Sequence, residues 1–570
     1  MEKRKIWLPS LVLTVICLAV LWKLCPICFQ NNDDKTLMYL VSGFATGEPE
    51  AGTVFGSFYY YGFIGLLYRV YAGIAWYTII ELAVVAISLW IVCDCLMNVA
   101  GSKGRIFGAI TFIVMFLFVF LHFSTALQYT ATAGLAAGAA ACSLIASGDR
   151  EAKGNIHFII AVIMLVVAYG IRKQFGIVGL GAMACILFFG LFGESRLATI
   201  KKGIIILIVF AIAFLSNFIY EKATGISEFN DYYAQAGTWI DYPHLQYQDD
   251  ADGVYASVGW DETLYDAAGR WFFMDENLTK DNFKVLVDAY DGTQVSLREC
   301  YDRAHRLMET SMIVNVQLVT WIVMLLGINI LVISKRLPKR QLLTIDGLFA
   351  MFAVVSVYFL IEGRFPMRAY QALIFIFMVP SIVLMFKEFG KLEARKNLIG
   401  AIVVMALVPI LCIRFRPEAN IVEYTHTVAH DINRTNEIAM STALEKYAME
   451  HPDSMYIYDL DLALPAGPFC TYKGQVPKNL VFWGGWVYNT PMYWTQVHAN
   501  GFDTLYAKDF LEGKVYFCGR TAPELPGEDV PKSDWSSPAV LVKYMQTRYP
   551  EATVEVVDEF DGMYVYRFNK

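Results

Sequence analysis

Charge is scarce in this chain. Only 17% of its 570 residues are Asp, Glu, Lys or Arg, against about 25% in a soluble domain. Histidine is rarer still, with eight in all, and none stands with cysteine at the spacing of a zinc site. There is no P-loop, no nucleophile elbow, no internal repeat and no low-complexity stretch. These absences exclude a P-loop nucleotide enzyme, an elbow-type hydrolase and a zinc-built module. No nucleic-acid partner is expected, and the net charge of −7 says little by itself because the charges are sorted by position. Cysteine is not scarce, at 11 residues, but Cys17, Cys93, Cys142, Cys185 and Cys412 lie inside apolar runs, where they read as small hydrophobes. Cys25 and Cys28 form C-P-I-C without a second pair and read as packing. Cys470 and Cys518 are the one candidate disulfide in the polar part of the chain.

What is abundant is apolar sequence, 56% of the chain. It is gathered in runs near the length that crosses a bilayer as a helix. The runs are Trp7–Phe29, Trp76–Val99, Ile106–Phe123, Thr125–Ala146, Ile156–Gly170, Phe175–Phe192, Gly203–Ile219, Ile313–Ile333, Ile345–Ile361, Tyr370–Phe386 and Leu398–Ile413. The fold class predicted is an α-helical polytopic membrane protein of about eleven transmembrane helices. The third and fourth runs meet at Ser124 and predict a bent hairpin or a re-entrant pair. The first run follows the basic Met1–Lys5 but lacks a small-residue cleavage site, and is read as a retained helix.

Basic residues sort to alternate loops: Lys3, Arg4 and Lys5; Lys103 and Arg105; Arg150 and Lys153; Arg196, Lys201 and Lys202; Lys335, Arg336, Lys339 and Arg340; Lys387, Lys391, Arg395 and Lys396. The positive-inside rule places these in the cytoplasm. The chain is then a multi-pass cell-membrane protein with a cytoplasmic N-terminus and an extracytoplasmic C-terminal part. Residues 1–414 form the membrane domain, with external loops at 30–75 and 220–311. In the first loop, Phe58-Tyr59-Tyr60-Tyr61 opens a helix expected to lie at the interface. In the second, helical spacing covers Thr263–Phe273 and Lys280–Ala289. Residues 415–570 are long enough for one domain. Strands are expected at Met455–Leu460, Asn479–Trp483 and Lys514–Cys518, helices at Glu437–Met449 and Val540–Arg548, and a hairpin around Asp561-Gly562. That is a small α/β domain.

The sharpest chemical feature is Asn31-Asn32-Asp33-Asp34-Lys35, directly after the first span. Adjacent carboxylates at a membrane surface serve as a general base for an incoming hydroxyl or as ligands for a divalent cation. The bland alternative is a helix cap. Two external turns carry arginine against the charge bias: Gly170-Ile171-Arg172-Lys173 and Glu362-Gly363-Arg364-Phe365-Pro366-Met367-Arg368. A guanidinium clamps phosphate with two donors; the alternative is snorkelling to lipid headgroups. The second external loop brings Asp241, Tyr242, His244, Trp260 and Asp261, acids and rings together, which suits sugar binding in a lid and also suits any membrane-facing surface.

An acidic pair after the first span, followed by Met38-Tyr39-Leu40-Val41-Ser42-Gly43, Thr46-Gly47-Glu48-Pro49, a juxtamembrane helix and a second span, resembles the GT-C polytopic glycosyltransferases. The resemblance covers about residues 1–415 and is similar to the protein mannosyltransferase and aminoarabinose transferase superfamily. It implies a hexosyl or pentosyl transferase that takes a polyprenyl-phosphate-linked sugar, with an extracytoplasmic cell-envelope glycan or lipid as acceptor. It implies a catalytic carboxylate from Asp33 or Asp34, donor-phosphate contacts from Arg172, Arg364 and Arg368, and Mg or Mn as the cation Asp33 and Asp34 would hold. The commoner pair in relatives is Asp-Glu, so Asp-Asp leaves the choice within the pair open. Two other classes compete: a transporter or flippase for a lipid-linked glycan, and a non-enzymatic scaffold presenting the tail.

Overall fold

A computed structural model describes residues 7–44, 47–99, 101–148, 155–193, 195–250, 252–290, 296–333, 339–391, 395–415, 435–458, 467–471, 477–527 and 529–570. Thr46 and the basic-loop residues Lys3, Arg4, Lys5, Arg150, Lys153, Lys335 and Arg336 lie outside the described residues.

Helix α1 (Trp7–Leu24) leads through the short strand β1 (Cys28–Phe29) to α2 (Asn32–Ser42) and α3 (Phe58–Val70). Helix α3 buries Tyr60, Tyr61, Ile64 and Tyr68 and exposes Phe63, Leu66 and Val70, the amphipathic division expected of an interfacial helix. Then come α4 (Trp76–Val99) and α5 (Gly101–Met115). The junction at Ser124 is a π turn at Phe116–Phe120, a 3-10 turn at His122–Ser124 and strand β2 (Ala126–Leu127). β2 pairs in parallel with β1, so the end of the first helix is tied to the start of α6 (Tyr129–Ser147).

The walk continues through α7 (Ile156–Ile171), α8 (Lys173–Gly190) and α9 (Arg196–Thr224). The segment expected to be external holds α10 (Ile226–Asp241), α11 (Val254–Ser257), α12 (Glu262–Gly269), α13 (Lys280–Ala289) and α14 (Leu297–Thr310). Four further helices follow: α15 (Met312–Ile333), α16 (Lys339–Ile361), α17 (Met367–Lys391) and α18 (Arg395–Phe415). Helix α12 ends four residues before the expected Phe273.

Among the described residues, seven helices are long and apolar enough to span a bilayer, and four shorter apolar helices accompany them. Helices α6 and α17 form the buried centre. They approach so closely that a Cβ at Gly134 or Gly138 would strike the backbone of Ala372 or Phe375, the small-residue packing that membrane helices use where no hydrophobic force drives them together. Helix α9 instead exposes Ile204, Leu207, Ile208, Ile212, Leu215 and Ile219. An apolar face that large marks a membrane or protein contact, and its length and composition suit a bilayer.

The turns around Asp33, Tyr129, Arg172 and Arg364 meet at one end of the bundle, where they line one cavity. The tail docks there. Its five-stranded sheet has the order β4-β3-β5-β7-β6, with β3 (Met455–Tyr458), β4 (Leu480–Phe482), β5 (Val515–Gly519), β6 (Thr553–Phe560) and β7 (Met563–Asn569). β3 is parallel to β4 and β5, and β7 is antiparallel to β5 and β6. Asp561 and Gly562 both take positive φ, at 49° and 74°, as a type I′ hairpin requires. Helices cover Thr435–Glu450, Pro491–Ala499 and Ser537–Arg548.

The external segment and the tail share one core. Trp239, Trp260, Phe273 and Phe283 are buried with Tyr488, Phe517, Tyr544 and Tyr566. Phe272 packs 5.3 Å from Tyr544 and 5.9 Å from Trp483, ring to ring. All the cysteines are free. Cys470 and Cys518 are therefore not bridged, and Cys25 and Cys28 are buried as packing.

Candidate active site

A polar cavity of about 620 Å³ lies where the end of the bundle meets the external segment and the tail. Its first wall is the N-terminus of α2. Asn31 is extended before the helix and its Nδ2 donates to Asp33 Oδ2 at 3.0 Å. Acids in a first turn are favoured by the helix dipole, so the sequence places Asp33 and Asp34 well. Successive residues on a helix point about 100° apart, and this splits the pair. Asp33 lines the cavity. Asp34 is fully buried beneath it.

Asp34 Oδ1 accepts from Tyr77 Oη at 2.8 Å and from the Tyr129 backbone N–H at 3.0 Å. Its Oδ2 has no hydrogen-bond partner among the described residues. Burial first, and then the nearby Glu81 carboxylate, push the Asp34 carboxyl well above the usual range, while the Tyr77 hydrogen bond works the other way. Glu81, itself fully buried, accepts from Tyr60 Oη at 2.8 Å. Asp34 is thus part of the floor that carries Tyr129, and Asp33 is the carboxylate in reach of a ligand.

Arg172 is the single extended residue between α7 and α8. Its Nη1 donates to Tyr129 Oη and, at 2.7 Å, to Thr130 Oγ1. The guanidinium lies 5.0 Å over the Phe55 ring and 4.9 Å over Tyr129, a cation–π seat. Its Nε is buried without a partner among the described residues. Lys173 is tied to Glu221 at 2.6 Å. Arg364 pairs with Asp241 and lies 5.8 Å over the Tyr242 ring. Arg368 stands 3.9 Å from Asp33. Burial raises the Asp241 carboxyl and Arg364 opposes it. Four cationic side chains, Arg172, Lys173, Arg364 and Arg368, face two carboxylates, Asp33 and Asp241, in the lining. Such a surplus at a membrane surface suits an anionic phosphate.

Three residues expected near the site lie elsewhere. Trp260 is buried in the shared core and donates to Asn277 O at 3.1 Å. Asp261 caps α12, accepting from Leu264 N–H at 2.9 Å. His244 stacks 4.6 Å from Trp239 and bonds Tyr242 O and Tyr265 Oη; it faces a separate cavity of about 320 Å³. Acids and rings in that loop serve its packing as much as the cavity.

Sequence reasoning missed Tyr129, Tyr233 and Trp271, all of which line the cavity. The aromatic tail stretch Phe482–Tyr488, whose composition suggests carbohydrate or membrane contact, adds Gly485, Trp486 and Val487 to the same lining. No three His, Cys, Asp or Glu side chains gather among the described residues. Because Asp34 turns inward, the acid pair does not present two oxygens to one point in the cavity, and the Arg368 guanidinium stands beside Asp33. The residues present do not fit the divalent cation expected from the sequence.

Fold and site together define a polytopic membrane protein in which one end of the helix bundle encloses a cavity, cationic overall, beneath residues 226–289 and the tail. No protein-family model and no curated protein matches the sequence. Among solved structures, the chain is similar to the crystal structure of ArnT from Cupriavidus metallidurans bound to undecaprenyl phosphate. The likeness covers 98% of this chain and 97% of that one, at 11% identity and a TM-score of 0.48.

Proposed function

We propose that the protein is a membrane glycosyltransferase that moves a hexosyl or pentosyl group from a polyprenyl-phosphate-linked donor to an extracytoplasmic cell-envelope glycan or lipid. It crosses the membrane about eleven times, with its N-terminus in the cytoplasm and its cavity and tail outside. The observation that supports this reading is that Asp33, Arg172, Arg364 and Arg368 face one cavity at the end of the bundle.

The acceptor hydroxyl loses its proton to Asp33 as its oxygen attacks the anomeric carbon. The bond from that carbon to the phosphate oxygen breaks, and the electron pair leaves with the polyprenyl phosphate. Arg172 and Arg364 take up the charge that develops there. Holding donor and acceptor in one cavity removes most of the entropic cost of their encounter.

Sugar transfer in membranes carrying Asp33→Asn tests the assignment. Loss of a general base lowers the rate by about 10²- to 10⁴-fold. A normal rate at normal expression in Asp33→Asn would sink the reading.

A further inference from the structure

Trp271 has a backbone that its side chain does not favour. It takes a φ of 62°, in the left-handed region that is rare for bulky residues. The reason lies in its neighbours. Arg270 is anchored to the tail by hydrogen bonds from its Nη2 to Ser533 O and Trp535 O, each at 3.0 Å. Phe272 is buried in the shared core and forms an isolated bridge with Gly484. Phe273 N–H donates to Trp483 O, and Gly485 N–H donates to Trp271 O, both at 3.3 Å. A Cβ at Gly484 would lie 1.5 Å from the Trp271 carbonyl oxygen, so only glycine permits this approach.

The residues on either side of Trp271 are thus fixed to the tail, and Trp271 itself lines the cavity that holds Asp33 and Arg172. It remains partly exposed there. Trp486, from the turn that begins at Gly484, lines the same cavity and packs 5.2 Å from Phe55. An indole beside carboxylates matches a sugar ring, which offers an apolar C–H face to the indole and hydroxyls to acceptors such as Asp33 and Asp241.

Resting on the reading above, we infer that Trp271 is the platform on which the transferred sugar ring stacks, and that it sets the specificity of this cavity for a sugar-bearing lipid over the bare lipid phosphate. Gly484 and Gly485 of the tail hold it in place.

The test is equilibrium binding to the purified full chain of three probes: farnesyl phosphate, a farnesyl-phosphate-linked hexose and a farnesyl-phosphate-linked pentose. Wild type is expected to bind at least one sugar-bearing probe more tightly than farnesyl phosphate. Trp271→Gly, which suits the left-handed backbone, should weaken that probe about ten-fold and leave farnesyl phosphate unchanged. Trp271→Phe, which keeps a ring, should fall between. Equal weakening of all probes assigns the indole to packing and overturns the inference. So does unchanged binding of the sugar-bearing probes, or wild-type binding that ignores the sugar. Wild type that binds none of the probes overturns the glycosyltransferase reading, and this inference with it.

Discussion

At the scale of single residues, the two adjacent acids have different physics because a helix turns them apart. Asp33 meets the cavity with Arg368 beside it. Asp34 is enclosed by Tyr77 and the Tyr129 backbone, near Glu81. The folded-state carboxyl of Asp34 is raised, so the stability it contributes is present below its unfolded value of about 4 and is lost as pH rises through the folded value. Asparagine can accept the same two hydrogen bonds and carries no proton to lose. The stability difference between Asp34→Asn and wild type should therefore move in favour of the variant from about pH 4 upward, by up to about 1.4 kcal/mol for every pH step of one until the folded carboxyl ionises. Thermal unfolding in detergent between acid and neutral pH checks it; a difference independent of pH would show that Asp34 ionises freely. The carboxylate pair was legible in the sequence. Which member faces the ligand was not, since that depends on how α2 is rotated against α4 and α6.

At the scale of elements, α6 packs closely against α17 at the buried centre of the bundle. Gly138 sits where an added Cβ would lie 2.2 Å from the Phe375 carbonyl oxygen. Gly138→Ala should cost about 1–3 kcal/mol, as overpacked cores do, while Gly400→Ala in α18, with open space around it, should be neutral or mildly stabilising. Comparing the two variants by thermal denaturation separates packing from helix propensity; equal stability would mean that the helices part easily. The helices themselves were legible as apolar runs, since crossing a bilayer is a matter of length and composition. The turn at Ser124 was legible only as a joint. Its form, with β2 paired to β1, depends on a strand almost a hundred residues earlier. Helix α10 was not foreseen, because its apolar face, including Phe229, Tyr232 and Trp239, is broken by acids and reads locally as a polar loop.

At the scale of the whole molecule, the tail is a structural part of the cavity. It supplies Gly485, Trp486 and Val487 to the lining, and its aromatic core closes over the external segment. A chain ending at residue 415 should leave Phe272 without Trp483, Phe510 and Tyr544, and Phe273 without Tyr488. Limited proteolysis should then cut between residues 226 and 289 far faster than in the full chain, and sugar transfer should fall to background. Equal protection of that segment would show that it folds without the tail.

The sequence by itself determined the membrane class, the positions of the apolar helices, the charge sorting of the loops, and the presence of an acidic pair and two arginine turns at helix ends. Those properties follow from local composition and from the direction in which successive spans must run. Only the tertiary structure decided that Asp33 faces the cavity while Asp34 lies beneath it, that Trp260, Asp261 and His244 stand apart, and that Trp271 meets Gly484 across the shared core. These are contacts between residues far apart in the chain, and helix rotation and strand docking, which no local pattern encodes, bring them together.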